Sequence, residues 1–138
     1  MIIRSIKDRE NTAYDVKGDT WRSIRLLLAK DNMGFSFHIT TITANTTTKM
    51  WYKHHLESVY CIEGTGSIED LKTGKTHIIE PGVMYALDQH DRHILKADST
   101  LTLACVFNPP CTGKEIHDKD GAYLPADTSP NTQFNEDN

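Results

Sequence analysis

The sequence predicts an all-β domain, a sandwich or small β-barrel with little helix, on three observations. Between residues 21 and 108, short runs rich in β-branched and aromatic residues recur. Clusters of Gly, Pro, Asn and Asp cut these runs at spacings of about 8 to 12 residues, the rhythm of strands joined by tight turns. The length, 138 residues, suits one domain with enough chain to bury a core without disulfides or a structural metal.

The first strand is expected over 21–29, where Trp21, Ser23, Arg25 and Leu27 alternate with Arg22, Ile24, Leu26 and Leu28. One face is apolar and the other carries polar groups. Asp31-Asn32-Met33-Gly34 reads as a turn. In the run 35–43, Phe35, Phe37 and Ile39 alternate with Ser36, His38 and Thr40, so the two runs form a hairpin. Further strands are expected over 50–52, 57–62, 67–71, 77–79, 83–87, 93–96 and 101–107. They are separated by Glu63-Gly64-Thr65-Gly66, Lys72-Thr73-Gly74-Lys75, Glu80-Pro81-Gly82 and Asp88-Gln89-His90-Asp91. Residues 7–19 are highly charged and hold at most a single helical turn. From Pro109 onward, Pro110, Gly113, Gly121, Pro125 and Pro130 break regular structure. Residues 1–126 therefore form the domain, with a lid-like segment over about 109–126, and 127–138 form a flexible tail.

Composition excludes several functional classes. Fifteen Lys and Arg against 19 Asp and Glu give a net charge of −4, which disfavours nucleic acid as a partner. No apolar run approaches the roughly 20 residues of a membrane span. The first residues lack the basic-then-apolar layout of a signal peptide, and a cytoplasmic location is expected. Cys61, Cys105 and Cys111 are odd in number and form no CxxC pair, which argues against a disulfide framework or a zinc knuckle and for a reducing compartment.

The densest polar and aromatic cluster is Trp51-Tyr52-Lys53-His54-His55-Leu56-Glu57. In extended chain, His55 and Glu57 project to the same face, as a metal site in a barrel requires. A solvated strand edge would show the same residues. Glu57 and Gly64 fit a Glu-x6-Gly pattern, and Pro81-Gly82 is followed by His93. Together these resemble the two motifs of the cupin double-stranded β-helix. The pattern is altered: His54 and His55 are adjacent and close to Glu57, and Tyr85 stands three residues after Gly82, where a cupin usually has His.

The altered pattern is similar to that of one cupin family, the L-ectoine synthases. The stretches that carry the resemblance are Met33-Gly34-Phe35-Ser36-Phe37-His38, the run from Trp51 to Gly64, Pro81-Gly82-Val83-Met84-Tyr85-Ala86-Leu87-Asp88, and the run from Phe107 to Tyr123. The resemblance implies a cupin-type barrel and a lyase that closes Nγ-acetyl-L-2,4-diaminobutyrate into ectoine with loss of water. That reaction is the last step towards a compatible solute made for osmoprotection and stress response. It also implies a homodimer and an Fe(II) held by Glu57, Tyr85 and His93, other divalent metals being possible. Carboxylate, phenolate and imidazole suit iron and leave positions open. The implied substrate pocket falls on Trp21, Arg25, Thr40, Tyr52, Cys105, Phe107, Glu115 and His117.

Within that pocket, Arg25 could clamp the substrate carboxylate while Trp21 and Phe107 flank its methylene chain. As residues alone, Trp21, Phe107 and Tyr85 would serve equally as core, and Cys105 as a small buried hydrophobe. Acid–base work is expected from Glu115 or His117, with Tyr52 and His55 behind them and Glu57 at the reacting centre. Two other classes stay open: a cupin-like binding domain that senses a small ligand, and a metal cupin that uses oxygen.

Overall fold

Alternating strands are the main regular element of the described residues. The computed structural model describes residues 1–115; His117, residues 116–126 of the expected lid and the expected tail 127–138 lie outside the described residues. Residues 7–19 hold the single helical turn allowed by the sequence, α1 (Ile6–Arg9). Ser5 Oγ accepts the Asp8 N–H while the Asp8 carboxylate accepts the Ser5 N–H, a reciprocal cap that lets so short a helix form.

The strands are β1 (Asp15–Lys17), β2 (Trp21–Leu27), β3 (Ser36–Ile42), β4 (Thr46–Met50), β5 (Leu56–Glu63), β6 (Gly66–Asp70), β7 (Thr76–Ile79), β8 (Met84–Leu87), β9 (His93–Ala97) and β10 (Leu101–Asn108). They form two sheets, one ordered β1-β2-β3-β10-β5-β8 and the other β4-β9-β6-β7, with every adjacent pair antiparallel. The all-β expectation holds, as does the β2–β3 hairpin. Its turn places Asn32 in the left-handed region at φ 57° and Gly34 at φ 84°.

Two elements differ from expectation. The strand expected over 50–52 ends at Met50 and begins earlier, at Thr46, because Thr46 to Met50 pair with β9 from Ala97 to His93. Residues 51–55 then leave the ladder. The short edge strand β1 was not expected from the sequence. Three residues carry too little periodicity to be read, and it is held to β2 by an Arg22–Asp15 ion pair at 2.7 Å.

The core lies between the sheets and includes Val59, Cys61, Ile79, Leu87, Leu95, Leu101 and Leu103, all nearly inaccessible to water. Cys61, Cys105 and Cys111 are free and buried. Gly64, the last residue of the Glu-x6-Gly pattern, has φ +94°, and a Cβ there would lie 2.1 Å from the Thr100 carbonyl oxygen. The β5–β6 corner thus needs glycine for both backbone conformation and close approach.

Candidate active site

Strand register determines what faces the cavity between the sheets. Cross-strand pairing aligns Arg25 with His38, His38 with Cys105, Cys105 with Val59, and Val59 with Tyr85, a row that runs from β2 to β8. The next row aligns Ser36, Phe107, Glu57 and Leu87. Side chains in register share a face, so both rows point inward together. The polar-bearing face of β2 is the inward one: Ser23 and Arg25 are buried, as is Ile24 on the opposite face.

The cavity is lined by Trp21, Thr40, Tyr52, Glu57, Tyr85, Cys105 and Phe107, all expected from the sequence, and also by Ser23, His38 and aliphatic residues. Phe107 sits at its centre. Its ring meets Tyr52 edge-on at 5.2 Å, His38 at 5.2 Å and His55 edge-on at 5.8 Å between centroids. Arg25 stands at the neighbouring hollow with Tyr14, Lys30 and Thr112, and its Nε donates to Ser23 Oγ at 3.1 Å. A guanidinium at that hollow can clamp a carboxylate.

The expected metal ligands come from three strands. Glu57 on β5 and Tyr85 on β8 lie diagonally across one ladder, and His93 is buried on β9 of the facing sheet. Glu57 and Tyr85 line the inner cavity; Tyr85 and His93 line a wider hollow of about 730 Å³ beside it. His93 Nδ1 donates to the Asp91 carbonyl oxygen at 2.9 Å, since that oxygen can only accept. The proton on Nδ1 leaves Nε2 with a free lone pair, the tautomer a metal ligand needs.

Burial governs the electrostatics. The Glu57 carboxyl is pushed up to about 8 by burial, offset only in part by a hydrogen bond from Cys105. Tyr85 and Cys105 are both pushed well up, first by burial and then by the Glu57 charge. His93 is pushed down by burial. Glu57 and Cys105 are buried and Tyr85 is half-buried, so three acids crowd together beside an imidazole. Such a set is costly to ionise alone and is stabilised by a cation, so the residues present fit a bound divalent metal.

Residues 112–114 line the neighbouring hollow with Arg25. The Ala29 N–H donates to the Cys111 carbonyl oxygen at 2.8 Å, tying this segment to the end of β2. Glu115 is buried, and its carboxylate accepts the Thr112 N–H at 2.8 and 2.9 Å, Thr112 Oγ1 at 3.1 Å and the Gly113 N–H at 3.0 Å. His55, just ahead of β5, is buried on the same side as Glu57, as their two-residue spacing requires. Burial pushes the His55 imidazole down, and the Glu115 charge opposes this. His117 lies outside the described residues.

One cavity residue was not singled out from the sequence. His38 is almost wholly buried, lines the cavity, and has no hydrogen-bond partner at Nε2 among the described residues. Burial, then the Arg25 charge, pushes it well down and keeps it neutral. The signal lay in the period of two that places it on the face of Ser36 and Thr40.

A family model for ectoine synthase matches residues 1–127. The chain belongs to the ectoine synthase family. An L-ectoine synthase of Hyphomonas neptunium is 59% identical over 131 residues, covering 94% of this chain and 96% of that protein. A crystal structure of ectoine synthase from P. lautus superposes with a TM-score of 0.83 at 50% identity and covers 96% of both chains. A Cupin_2 domain of an XRE family transcriptional regulator from Enterobacter cloacae, 11% identical with a TM-score of 0.56 over 67% of this chain and 99% of that one, shares the fold alone. The cupin-type architecture expected from the altered motifs is therefore the observed one. Among the described residues, no helix is long and apolar enough to cross a membrane.

Proposed function

We propose that this chain cyclises Nγ-acetyl-L-2,4-diaminobutyrate to ectoine with loss of water, acting as a cytoplasmic hydro-lyase. The observation that carries the reading is the set of buried Glu57 and Cys105 and half-buried Tyr85, lining one cavity with Phe107 and Thr40, within a chain matched to the family over 1–127. Glu57, Tyr85 and His93 would hold the metal, with Fe(II) first among the divalent ions. When bound, the metal supplies Lewis acidity that makes an amide carbonyl a better electrophile.

The chain's own residues do the rest. Arg25 holds the substrate carboxylate through paired N–H donors, and Trp21 and Phe107 exclude water along the methylene chain. This folds the substrate so that its α-amine reaches the acetamide carbon, turning ring closure into a near-attack geometry. The amine must lose a proton, and the departing oxygen must gain protons to leave as water. Glu115, an oriented carboxylate, and His55, kept neutral by burial, are the acid–base groups, with Tyr52, which lines the cavity, behind them. His117 completes this set in the reading from the family.

The reading includes a homodimer. The outer face of the six-stranded sheet exposes Leu56, Tyr60 and Ile62 on β5, with Met84 paired to Tyr60 on β8, a contiguous apolar surface. The reaction is tested by incubating Fe(II)-loaded protein with the acetylated diamine under nitrogen and following ectoine by proton NMR. Ectoine without oxygen uptake is expected. No cyclisation with iron or any other divalent metal overturns the reading, and oxygen consumption would transfer the chain to oxidative chemistry.

A further inference from the structure

Three ligand types converge beside Phe107, apart from Glu57, Tyr85 and His93. The His55 imidazole, the Cys111 sulfur and the Glu115 carboxylate present donor atoms within 4.8 Å of one another, and all three side chains are buried. They come from separate parts of the chain, and each is held in place. His55 stands edge-on to Phe107. The Cys111 N–H donates to Ser36 Oγ at 3.0 Å, and its carbonyl accepts Ala29 N–H at 2.8 Å. The Glu115 carboxylate is oriented by Thr112 and Gly113, the kind of outer hydrogen bonding that fixes a ligand to a metal.

Zinc ligands lie at about 2.0 to 2.3 Å from the ion, so the donors of a tetrahedral site stand roughly 3.3 to 3.8 Å apart. The observed spread closes to that with small side-chain rotations. Donor softness separates this cluster from the other. Two oxygens and a nitrogen suit iron, whereas sulfur, nitrogen and oxygen favour zinc. We propose that His55, Cys111 and Glu115 form a second divalent-cation site, of zinc-type chemistry, next to the reaction cavity. As the metal–sulfur bond forms, the Cys111 S–H bond breaks and its proton passes to solvent. Three protein ligands leave the fourth position to water. An ion held there takes His55 and Glu115 out of proton transfer, so zinc inhibits turnover; this consequence, unlike the site itself, rests on the reaction proposed above.

The test is a cobalt(II) titration of the iron-loaded protein, read by the thiolate-to-cobalt charge-transfer band in the near ultraviolet. The band is expected to saturate at a single equivalent, to be erased by zinc, to survive in Cys105→Ser and to vanish in Cys111→Ser. Glu115→Gln is expected to keep the band and weaken cobalt affinity about tenfold or more. Cys111→Ala replaces Cys111→Ser should the hydroxyl disturb packing. Absence of the band, or its survival when Cys111 is replaced, overturns the site. Zinc is expected to slow ectoine formation by the parent and to spare Cys111→Ser. A cobalt band without inhibition by zinc overturns the acid–base roles of His55 and Glu115 and leaves the site standing. Failure of the iron-loaded parent to form ectoine overturns the reaction and leaves the cobalt reading untouched.

Discussion

Arg25 and His38 face each other across the β2–β3 ladder, a buried cation beside a neutral imidazole whose Nε2 has no hydrogen-bond partner among the described residues. The pair dictates different outcomes for two substitutions. Arg25→Ala removes a charge-assisted clamp of about 2 to 3 kcal/mol and is expected to raise KM roughly 30- to 150-fold. His38→Leu is expected to raise Tm, because an unsatisfied buried group is lost from the cavity wall. Steady-state kinetics and thermal melts on the same preparations check both.

Gly64→Ala tests the corner between β5 and β6. The left-handed φ costs a non-glycine residue roughly 1 to 2 kcal/mol, and the added Cβ meets backbone rather than a yielding side chain. A loss of more than about 2 kcal/mol in urea unfolding is expected. An unchanged midpoint would show that the corner rearranges freely.

Glu57→Gln separates metal binding from folding. Without a cation the buried carboxyl, pushed up to about 8, is largely neutral at neutral pH, so the amide replaces like with like. Metal-free Glu57→Gln should melt within a few degrees of the metal-free parent. Its iron content and ectoine formation should both fall to background. Iron should raise the Tm of the parent, by an amount equivalent to about 2.7 kcal/mol at a hundredfold excess over Kd, and leave that of the variant unchanged.

Acid should weaken the amino-terminal layer first. Asp15 and Asp31 are held down from 3.8 to about 2 chiefly by hydrogen bonds from Arg22 and Arg4. Both folded-state values lie below the unfolded ones, so their stabilisation is complete above about pH 4 and is lost as pH falls towards about 2. Urea midpoints should drop as pH falls from about 4 towards about 2. Asp15→Asn and Asp31→Asn should each be less stable at neutral pH and show a flatter decline.

Met84→Lys places a charge opposite Tyr60 on the exposed apolar face of the larger sheet. Light scattering is expected to show a dimer for the parent and a monomer for Met84→Lys at micromolar concentration, with far-ultraviolet dichroism unchanged. A dimer that survives the substitution places the interface elsewhere.

Much of the fold is legible as periodicity. The alternation across 21–28 and 35–42 marks a hairpin, and turn clusters bound nearly every later strand. What escapes is short or polar. Asp15 to Lys17 shows no pattern and exists because Arg22 reaches Asp15 from the next strand. Thr46 to Met50 carries no apolar alternation, and its pairing with β9 supplies the order. At the site, Glu57 stands out through its spacing to Gly64, whereas His38 resembles any polar residue on a half-buried strand.

The sequence by itself determines residue type and alternation: which side chains share a strand face, that Gly64 follows Glu57 at the Glu-x6-Gly spacing, and that the chain carries the marks of the ectoine synthase family. It leaves open which face loses water. A period of two defines two faces equally, and only stacking one sheet on the other turns Ser23, Arg25 and His38 inward. Convergence across long separations is likewise tertiary. His55, Cys111 and Glu115 meet because Cys111 donates its N–H to Ser36 Oγ and accepts the Ala29 N–H at its carbonyl, ties that no local pattern encodes.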